Sequence, residues 1–236
     1  MNKTLGIAAI AAAGLAAGGW LMQQRGNETA APGTTQLAPM TGGAQAQTAA
    51  AADVDTSRVI EMVAGDPDAP VTIIEYSSFT CPHCATFNQG VYRQIYDQYV
   101  ETGVARIVKR EVYFDPYGLW AGLVARCGGP ERYFGIVEML YQHQQEWSRA
   151  QPAAGQSDAE AVADALRRIG RRAGMNDDEL TACLTDREMA TAMMEVYRVN
   201  AQRDGITSTP SFMINGRAYS NMNLADFQTA IEAAQR

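Results

Sequence analysis

The stretch that decides the fold is "VTIIEYSSFTCPHCATF", Val71 to Phe87. Its first half is a run of β-branched and aromatic residues, which predicts a buried central strand. Its second half opens a helix, because Pro82 suits the first helical turn, where a missing N–H costs nothing. The two cysteines Cys81 and Cys84 therefore fall where a strand turns into a helix.

The residues that follow extend this unit. Apolar side chains recur every four residues from Phe87 to Tyr99, which predicts one face of a helix, and Gly103 suits the position just past its end. The segment "VARIVKREVYF", 104–114, then predicts a second strand. Strand, helix and strand together predict a βαβ unit with the cysteine pair at its corner.

The rest of the chain predicts a long helical stretch, about 117–204, followed by a return to β structure. "STPSFMING" and "RAYSN" predict a hairpin turning at Asn215-Gly216, and the last residues predict an amphipathic helix. "SRVIEMVAG", 57–65, predicts a short first strand. The chain is therefore expected to be an α/β protein.

The N-terminus predicts export. Lys3 precedes an apolar run, residues 5–22, and no acidic residue appears before Glu28. This pattern is typical of a signal peptide or a signal anchor, here residues 1–25, and both remain open. Export favours disulfide chemistry, because disulfides persist outside the cytosol.

Between this segment and the folded part, residues 26–53 are mostly Ala, Gly, Thr, Gln and Pro. Such a composition predicts a flexible, low-complexity linker. The folded domain is expected to span 54–236.

Composition narrows the function. The formal net charge of −7 argues against nucleic-acid binding, which requires a basic surface. Only two histidines are present, His83 and His143, and His143 is expected on an exposed helix. A zinc site built from all four cysteines, or a copper site of Cys81, Cys84 and His143, would be irregular, so we expect no metal.

A redox role for the cysteine pair has a direct physical basis. A thiolate at a helix N-terminus faces unpaired N–H groups and the positive end of the helix dipole, so the pKa of Cys81 should fall. His83 should add positive charge nearby. Cys84, one turn into the helix, should be shielded and act as the resolving thiol. A stabilised thiolate makes the disulfide a stronger oxidant.

Two motifs carry a family resemblance. "EYSSFTCPHC" and "TSTPSFMINGRAY" resemble the DsbA family of exported thiol-disulfide oxidoreductases, from about Val71 to the end of the chain. The resemblance implies a thioredoxin fold, with a helical domain inserted between a βαβ half and a C-terminal ββα half. It also implies that Cys81 is the nucleophile, Cys84 its buried partner, and Pro82 and His83 the tuning dipeptide.

The same resemblance assigns further residues. Thr209 and Pro210 would form a cis-proline loop that offers backbone hydrogen bonds to an extended substrate. Glu75 would be a buried acid under the active site, with Lys109 on the next strand as its partner. Glu75 would then accept the proton of Cys84, or it would only form an ordinary ion pair with Lys109.

Cys127 and Cys183 depart from the best-known members of that family. Both lie near predicted helix C-termini, where a thiolate is not favoured. We expect a structural disulfide closing a loop of about 57 residues, worth ~4 kcal/mol in the chain-entropy model. Two buried thiols, or a second redox pair, are the alternatives.

The sequence thus predicts an oxidase that donates the Cys81–Cys84 disulfide to reduced or unfolded secreted proteins, without a cofactor. The resemblance to the DsbA family implies a DsbB-type membrane protein that reoxidises it, and the enzyme is expected to be a periplasmic monomer, free or anchored in the inner membrane by residues 5–22. The alternatives are a disulfide isomerase or reductase on the same fold, a redox-inert chaperone-like binding module, and a metal carrier.

Overall fold

The fold is built on one sheet and a set of helices, and the computed structural model describes residues 54–220 and 222–236. The strands are β1 (Met62–Ala64), β2 (Val71–Ser77), β3 (Ala105–Glu111), β4 (Ser211–Ile214) and β5 (Arg217–Ser220). The α-helices are α1 (Pro82–Phe87), α2 (Arg93–Ile95), α3 (Pro116–Cys127), α4 (Pro130–Gln142), α5 (Gln144–Ser148), α6 (Asp158–Arg172), α7 (Asp177–Thr185), α8 (Arg187–Arg203) and α9 (Leu224–Ala234). Two π-helical segments, Asn88–Tyr92 and Tyr96–Val100, join α1, α2 and the loop before β3.

The five strands form one sheet in the order β1-β3-β2-β4-β5. β2 and β3 run parallel, and the other neighbouring pairs run antiparallel. The βαβ half therefore supplies β2 and β3, and the ββα half adds β4 and β5 beside β2. Helices α3 to α8 lie between the two halves in the chain, so the predicted thioredoxin fold with a helical insert is confirmed.

The helix after the cysteine pair buries the predicted face. Phe87 and Ile95 are buried in a core cluster with Phe212 and Phe227, and Val91 and Tyr99 pack against it. A spacing of four residues exceeds the 3.6 of an α-helix, so such a stripe would drift around the helix axis. The two π-helical segments offset this drift, because their i to i+5 hydrogen bonds widen the turn.

The first strand is shorter than its sequence pattern predicts. β1 pairs only with β3, at the edge of the sheet, and it ends before Gly65. Gly65 has a φ of +99°, and a Cβ there would lie 2.7 Å from Cγ1 of Val100. The chain therefore turns away at this glycine, where the sequence pattern also ends the strand, and the residues missing from the predicted strand are 57–61 at its start.

The helical insert packs around buried side chains such as Tyr133, Leu140 and Trp147, in a cluster that also contains Phe79 and Cys84. A disulfide joins Cys127, the last residue of α3, to Cys183 in α7, with 6.0 Å between their Cα atoms. The bridge thus ties two helices of the insert together.

The prediction for His143 is wrong. His143 lies at the junction of α4 and α5 with φ −105° and ψ 20°, and its side chain is only 31% exposed. Nε2 of His143 lies 3.3 Å from Arg172 on α6, so contact with a neighbouring helix covers part of the ring. None of the helices within 54–220 and 222–236 is long and apolar enough to cross a membrane. The predicted signal segment and linker lie outside the described residues.

Candidate active site

Cys81 is the N-cap residue of α1. Its backbone is extended, with φ −79° and ψ 119°, and the helix begins at Pro82. Since proline has no N–H, the first free N–H groups of the helix belong to His83 and Cys84, and both favour the anion of Cys81. The strand-to-helix corner thus aims the open end of the helix at this thiol.

These donors lower the pKa of Cys81 to about 5. The largest contribution is a hydrogen bond from the thiol of Cys84, and the side chain of Thr209 and the two N–H groups add to it, while burial opposes them. Cys84 is fully buried, and its pKa is raised because its proton is held against Cys81 and because burial disfavours its anion. Cys81 is therefore a thiolate at neutral pH, whereas Cys84 remains a protonated thiol.

His83 and Pro82 are both exposed on the first turn of α1. The influence of His83 on the pKa of Cys81 comes through its main-chain N–H. A tuning effect of the imidazole charge stays a prediction.

The loop before β4 faces the same thiol. The peptide bond between Thr209 and Pro210 is cis, and Sγ of Cys81 lies 3.6 Å from the carbonyl oxygen of Thr209. Ser211 anchors the loop by donating to the carbonyl of Ser208 at 2.8 Å. The structure therefore brings the predicted substrate-binding residues to Cys81, and their role with substrate stays a prediction.

Glu75 and Lys109 lie directly opposite each other in the parallel pairing of β2 and β3. Nζ of Lys109 is 2.6 Å from Oε1 of Glu75, and both side chains are 1% exposed. Oε2 of Glu75 is buried and has no hydrogen-bond partner among the described residues. A buried carboxylate oxygen without a donor is costly, so Oε2 is free to accept a hydrogen bond from a neighbouring donor.

Tyr141 of α4 connects this ion pair to the cysteines, and sequence reasoning missed it. Its ring lies 5.0 Å from Nζ of Lys109, and its hydroxyl donates to the carbonyl of Ser78 at 3.4 Å. Burial, followed by negative charge on Cys84 and on Glu75, raises the pKa of the Tyr141 hydroxyl. Tyr141 therefore lies within electrostatic reach of both groups and stays neutral.

Gln144 of α5 is a second residue that the sequence did not reveal. Its Nε2 donates to the carbonyl oxygens of Phe79 at 2.7 Å and Cys81 at 2.9 Å, and the residue is 3% exposed. The helical insert thus holds the backbone of the strand-to-helix corner from outside. A glutamine whose partners are main-chain carbonyls over 60 residues away has no sequence signal.

Cys127 and Cys183 are bonded to each other, whereas Cys81 and Cys84 are free thiols. No group of three or more His, Cys, Asp or Glu side chains within the described part of the chain is placed to hold a metal ion. The four cysteines therefore separate into a bridged pair in the insert and a dithiol at the corner.

Comparison with known proteins agrees with this arrangement. A thioredoxin family model matches residues 57–233. A putative protein-disulfide oxidoreductase of Rickettsia bellii is 26% identical over 175 residues, which cover 74% of this chain and 64% of the relative. The crystal structure of Wolbachia pipientis alpha-DsbA1 aligns with a TM-score of 0.66 and 26% identity, over 74% of this chain and 90% of that one.

The fold also matches a crystal structure described as a protein-disulfide isomerase from Novosphingobium aromaticivorans. That match has a TM-score of 0.63 and 24% identity, over 74% of this chain and 97% of the other, so it shows the fold alone. The chain spans 60–64% of the length of the curated Rickettsia relatives that it matches.

Proposed function

The chain belongs to the thioredoxin family, in its DsbA-like branch, and from this premise we propose that it is a thiol-disulfide oxidoreductase that acts as an oxidase. It donates the Cys81–Cys84 disulfide to polypeptides that carry pairs of reduced cysteines. The observation that carries the proposal is the position of Cys81 at the N-terminus of α1, beside Cys84, where its pKa is lowered to about 5 in the dithiol form. Stabilising the thiolate stabilises the reduced enzyme, and this makes its disulfide a stronger oxidant.

The reaction consists of two exchanges. A substrate thiolate attacks Sγ of Cys81, the Cys81–Cys84 bond breaks, and Cys84 leaves with the electron pair and takes a proton. The second substrate thiolate then attacks the substrate sulfur of the mixed disulfide and releases Cys81 as a thiolate. Two electrons pass from substrate to enzyme, and one substrate disulfide forms.

The residues of the active site have distinct roles in these two exchanges. The N–H groups of His83 and Cys84 and the side chain of Thr209 stabilise the Cys81 thiolate as it leaves. Burial and the hydrogen bond to Cys81 keep the proton on Cys84 after the first exchange. Glu75, whose Oε2 is buried and unpartnered among the described residues, supplies or removes that proton. The Thr209–Pro210 loop aligns an extended substrate beside Cys81.

The enzyme works outside the cytosol, in the periplasm, on secreted proteins. Two features support this location: the predicted signal peptide or anchor at residues 1–25, and the Cys127–Cys183 bridge, because disulfides persist in oxidising compartments. The reaction leaves the enzyme reduced, so a membrane oxidant of the DsbB type must restore the disulfide. No cofactor is needed besides the disulfide itself.

The experiment that tests the direction of electron flow is an equilibrium titration of Cys81–Cys84 against glutathione. A potential near about −120 mV, the value for DsbA, is expected for an oxidase. A potential near about −270 mV, the value for thioredoxin, would mean a reductase and contradict the proposal. Cys81→Ser is the control that reports any exchange at the Cys127–Cys183 bridge.

A further inference from the structure

A cavity of about 510 Å³ lies between α4 and the two π-helical segments, and we call it the α4 cavity. Its walls include Asn88, Tyr92 and Tyr96 on one side and Glu131 and Gly135 on the other, with Lys109 lining it as well. This volume is within the range of small-molecule sites, roughly 300–1,000 Å³. The redox reaction proposed above makes no use of it.

The helical wall presents one set of side chains. Asn88, Tyr92 and Tyr96 are spaced by four residues across the π-helical segments, and such segments occur often at functional sites. The rings of Tyr92 and Tyr96 stack on each other with 6.1 Å between their centroids. Two aromatic side chains therefore border the cavity beside an amide.

Asn88 is the polar group that points to a ligand. It is 4% exposed and lines the cavity, and its side-chain amide makes no hydrogen bond within residues 54–220 and 222–236. The polar atoms of this amide are open to the cavity rather than sealed in the core, so they are free to bond a polar group that enters it.

Charge determines which group that is. Arg93 is paired with Glu138, and Lys109 is paired with Glu75. Asp97 and Glu131 also line the cavity, both are exposed, and neither forms an ion pair with any other described residue. The outer part of the cavity therefore has two carboxylates in excess, next to two tyrosine rings.

We propose that the α4 cavity binds an organic ammonium ion that carries an apolar stem. Carboxylates and aromatic faces together recognise such cations. The buried ammonium of Lys109 excludes a second positive charge from the inner part, so the ligand's charge lies between Asp97 and Glu131, with its stem toward Asn88. The ligand is a free amine or the lysine side chain of a polypeptide.

The first test is a titration of the full chain with n-hexylammonium. Binding is monitored by NMR through the amide resonances of Asn88 and Gly135. Saturable shifts are expected, with binding on the order of tenfold tighter than for n-hexanol, which has the same stem without the charge. Hexanoate should bind more weakly than either. Equal binding of the alcohol, preference for the carboxylate, or no saturable shift would overturn the proposal.

A peptide with one lysine distinguishes the two sources of the cation. Shifts at the same residues assign the cavity to a lysine side chain, whereas shifts with the free amine alone assign it to a small molecule. Both results support an organic cation.

Two variants keep the test specific. A Cβ at Gly135 meets no atom within 4 Å, so Gly135→Leu fills the cavity without a backbone clash and should abolish hexylammonium binding. Gly90→Leu is the control, since Gly90 has equally open space and does not line the cavity. Asp97→Asn combined with Glu131→Gln should remove the preference for hexylammonium over hexanol. If that preference survives in the double variant, the assignment of the charge is wrong.

Discussion

The ammonium of Lys109 lies 2.6 Å from Oε1 of Glu75 in an ion pair whose side chains are each 1% exposed. The register of β2 and β3 places the two residues opposite each other. Removing two charges from water is costly, and the attraction between them only offsets that cost while both are present. The pair is therefore a site where single and double substitutions should behave very differently.

We expect Glu75→Leu or Lys109→Met alone to lower the free energy of unfolding by about 3–5 kcal/mol, because each leaves one buried charge without its partner. The double variant should lose much less than the sum of the two. Urea denaturation of the oxidised protein measures all three. Additive losses would show that the two charges do not depend on each other.

Glu75→Gln separates the proton-transfer role from the structural role. If Glu75 moves the proton of Cys84, the variant should slow the exchange between enzyme and a reduced peptide by about 10²-fold or more. Stopped-flow measurement of that rate is the test, with Lys109→Met as the comparison that keeps the carboxyl group. Unchanged rates in a destabilised Glu75→Gln protein would reduce Glu75 to an ion-pair partner.

The third prediction concerns the ionisation of Cys81. In the reduced protein the thiolate absorbance at 240 nm should appear with a midpoint near pH 5. Cys84→Ala should move this midpoint upward, because the thiol of Cys84 is the largest contribution to the low pKa. Cys81→Ser should remove the transition. A midpoint in Cys84→Ala equal to that of the parent would contradict the assigned donor.

The same ionisation links stability to pH. The folded pKa of Cys81, about 5, lies below the unfolded value of about 8.5. The thiolate therefore stabilises the reduced protein fully above about pH 8.5, and this contribution is lost as pH falls through 5. The stability of the reduced form relative to Cys81→Ser should thus decline from pH 8 to pH 5, and the oxidised form should show no such decline from this group.

Gln144 is expected to position Cys81 rather than to react. Gln144→Met removes both hydrogen bonds to the corner, so the carbonyls of Phe79 and Cys81 lose a donor, at about 1–3 kcal/mol for each group left unsatisfied. The pKa of Cys81 should rise and the reduction potential should become more negative. Gln145→Met is the matched control, since Gln145 is exposed on the same helix.

A lower melting temperature in Gln144→Met with an unchanged thiolate midpoint would assign Gln144 to the fold alone. The two readouts therefore separate a positioning residue from a structural one.

The strand-to-helix corner at Cys81 and Cys84 could be predicted because the sequence signals that form it lie within a few residues of one another. A β-branched run, a proline at the start of a helix and a four-residue apolar spacing all act over a few residues, and β2 and α1 follow them. The partnership of Glu75 with Lys109 came from family resemblance, and the parallel register explains it.

The features that escaped prediction depend on distant parts of the chain. Gln144 and Tyr141 reach main-chain carbonyls of the 78–81 segment over 60 residues away, and nothing near them in sequence marks those partners. The helix break at His143 lies in a polar segment and is accompanied by a contact with Arg172 of α6, which is 29 positions away. Long-range contacts of this kind arise only once the insert has packed.

The last prediction concerns the bridge between α3 and α7. Cys127 is exposed and Cys183 is buried, and 56 positions separate them in sequence. Replacing both by alanine should cost ~4 kcal/mol through the unfolded chain, which corresponds to a fall in Tm of about 8–16 °C for a domain of this size. The double variant avoids leaving an unpaired thiol that would exchange with Cys81.

The bridge lies within the insert, away from the Cys81–Cys84 pair. The equilibrium constant of Cys81–Cys84 with glutathione and the turnover of reduced peptides should therefore stay within about twofold of the parent at 25 °C, where the variant remains folded. Thermal unfolding and the glutathione titration on one preparation measure both quantities. Lost turnover with an unchanged Tm would instead make Cys127 and Cys183 a second redox pair that relays electrons.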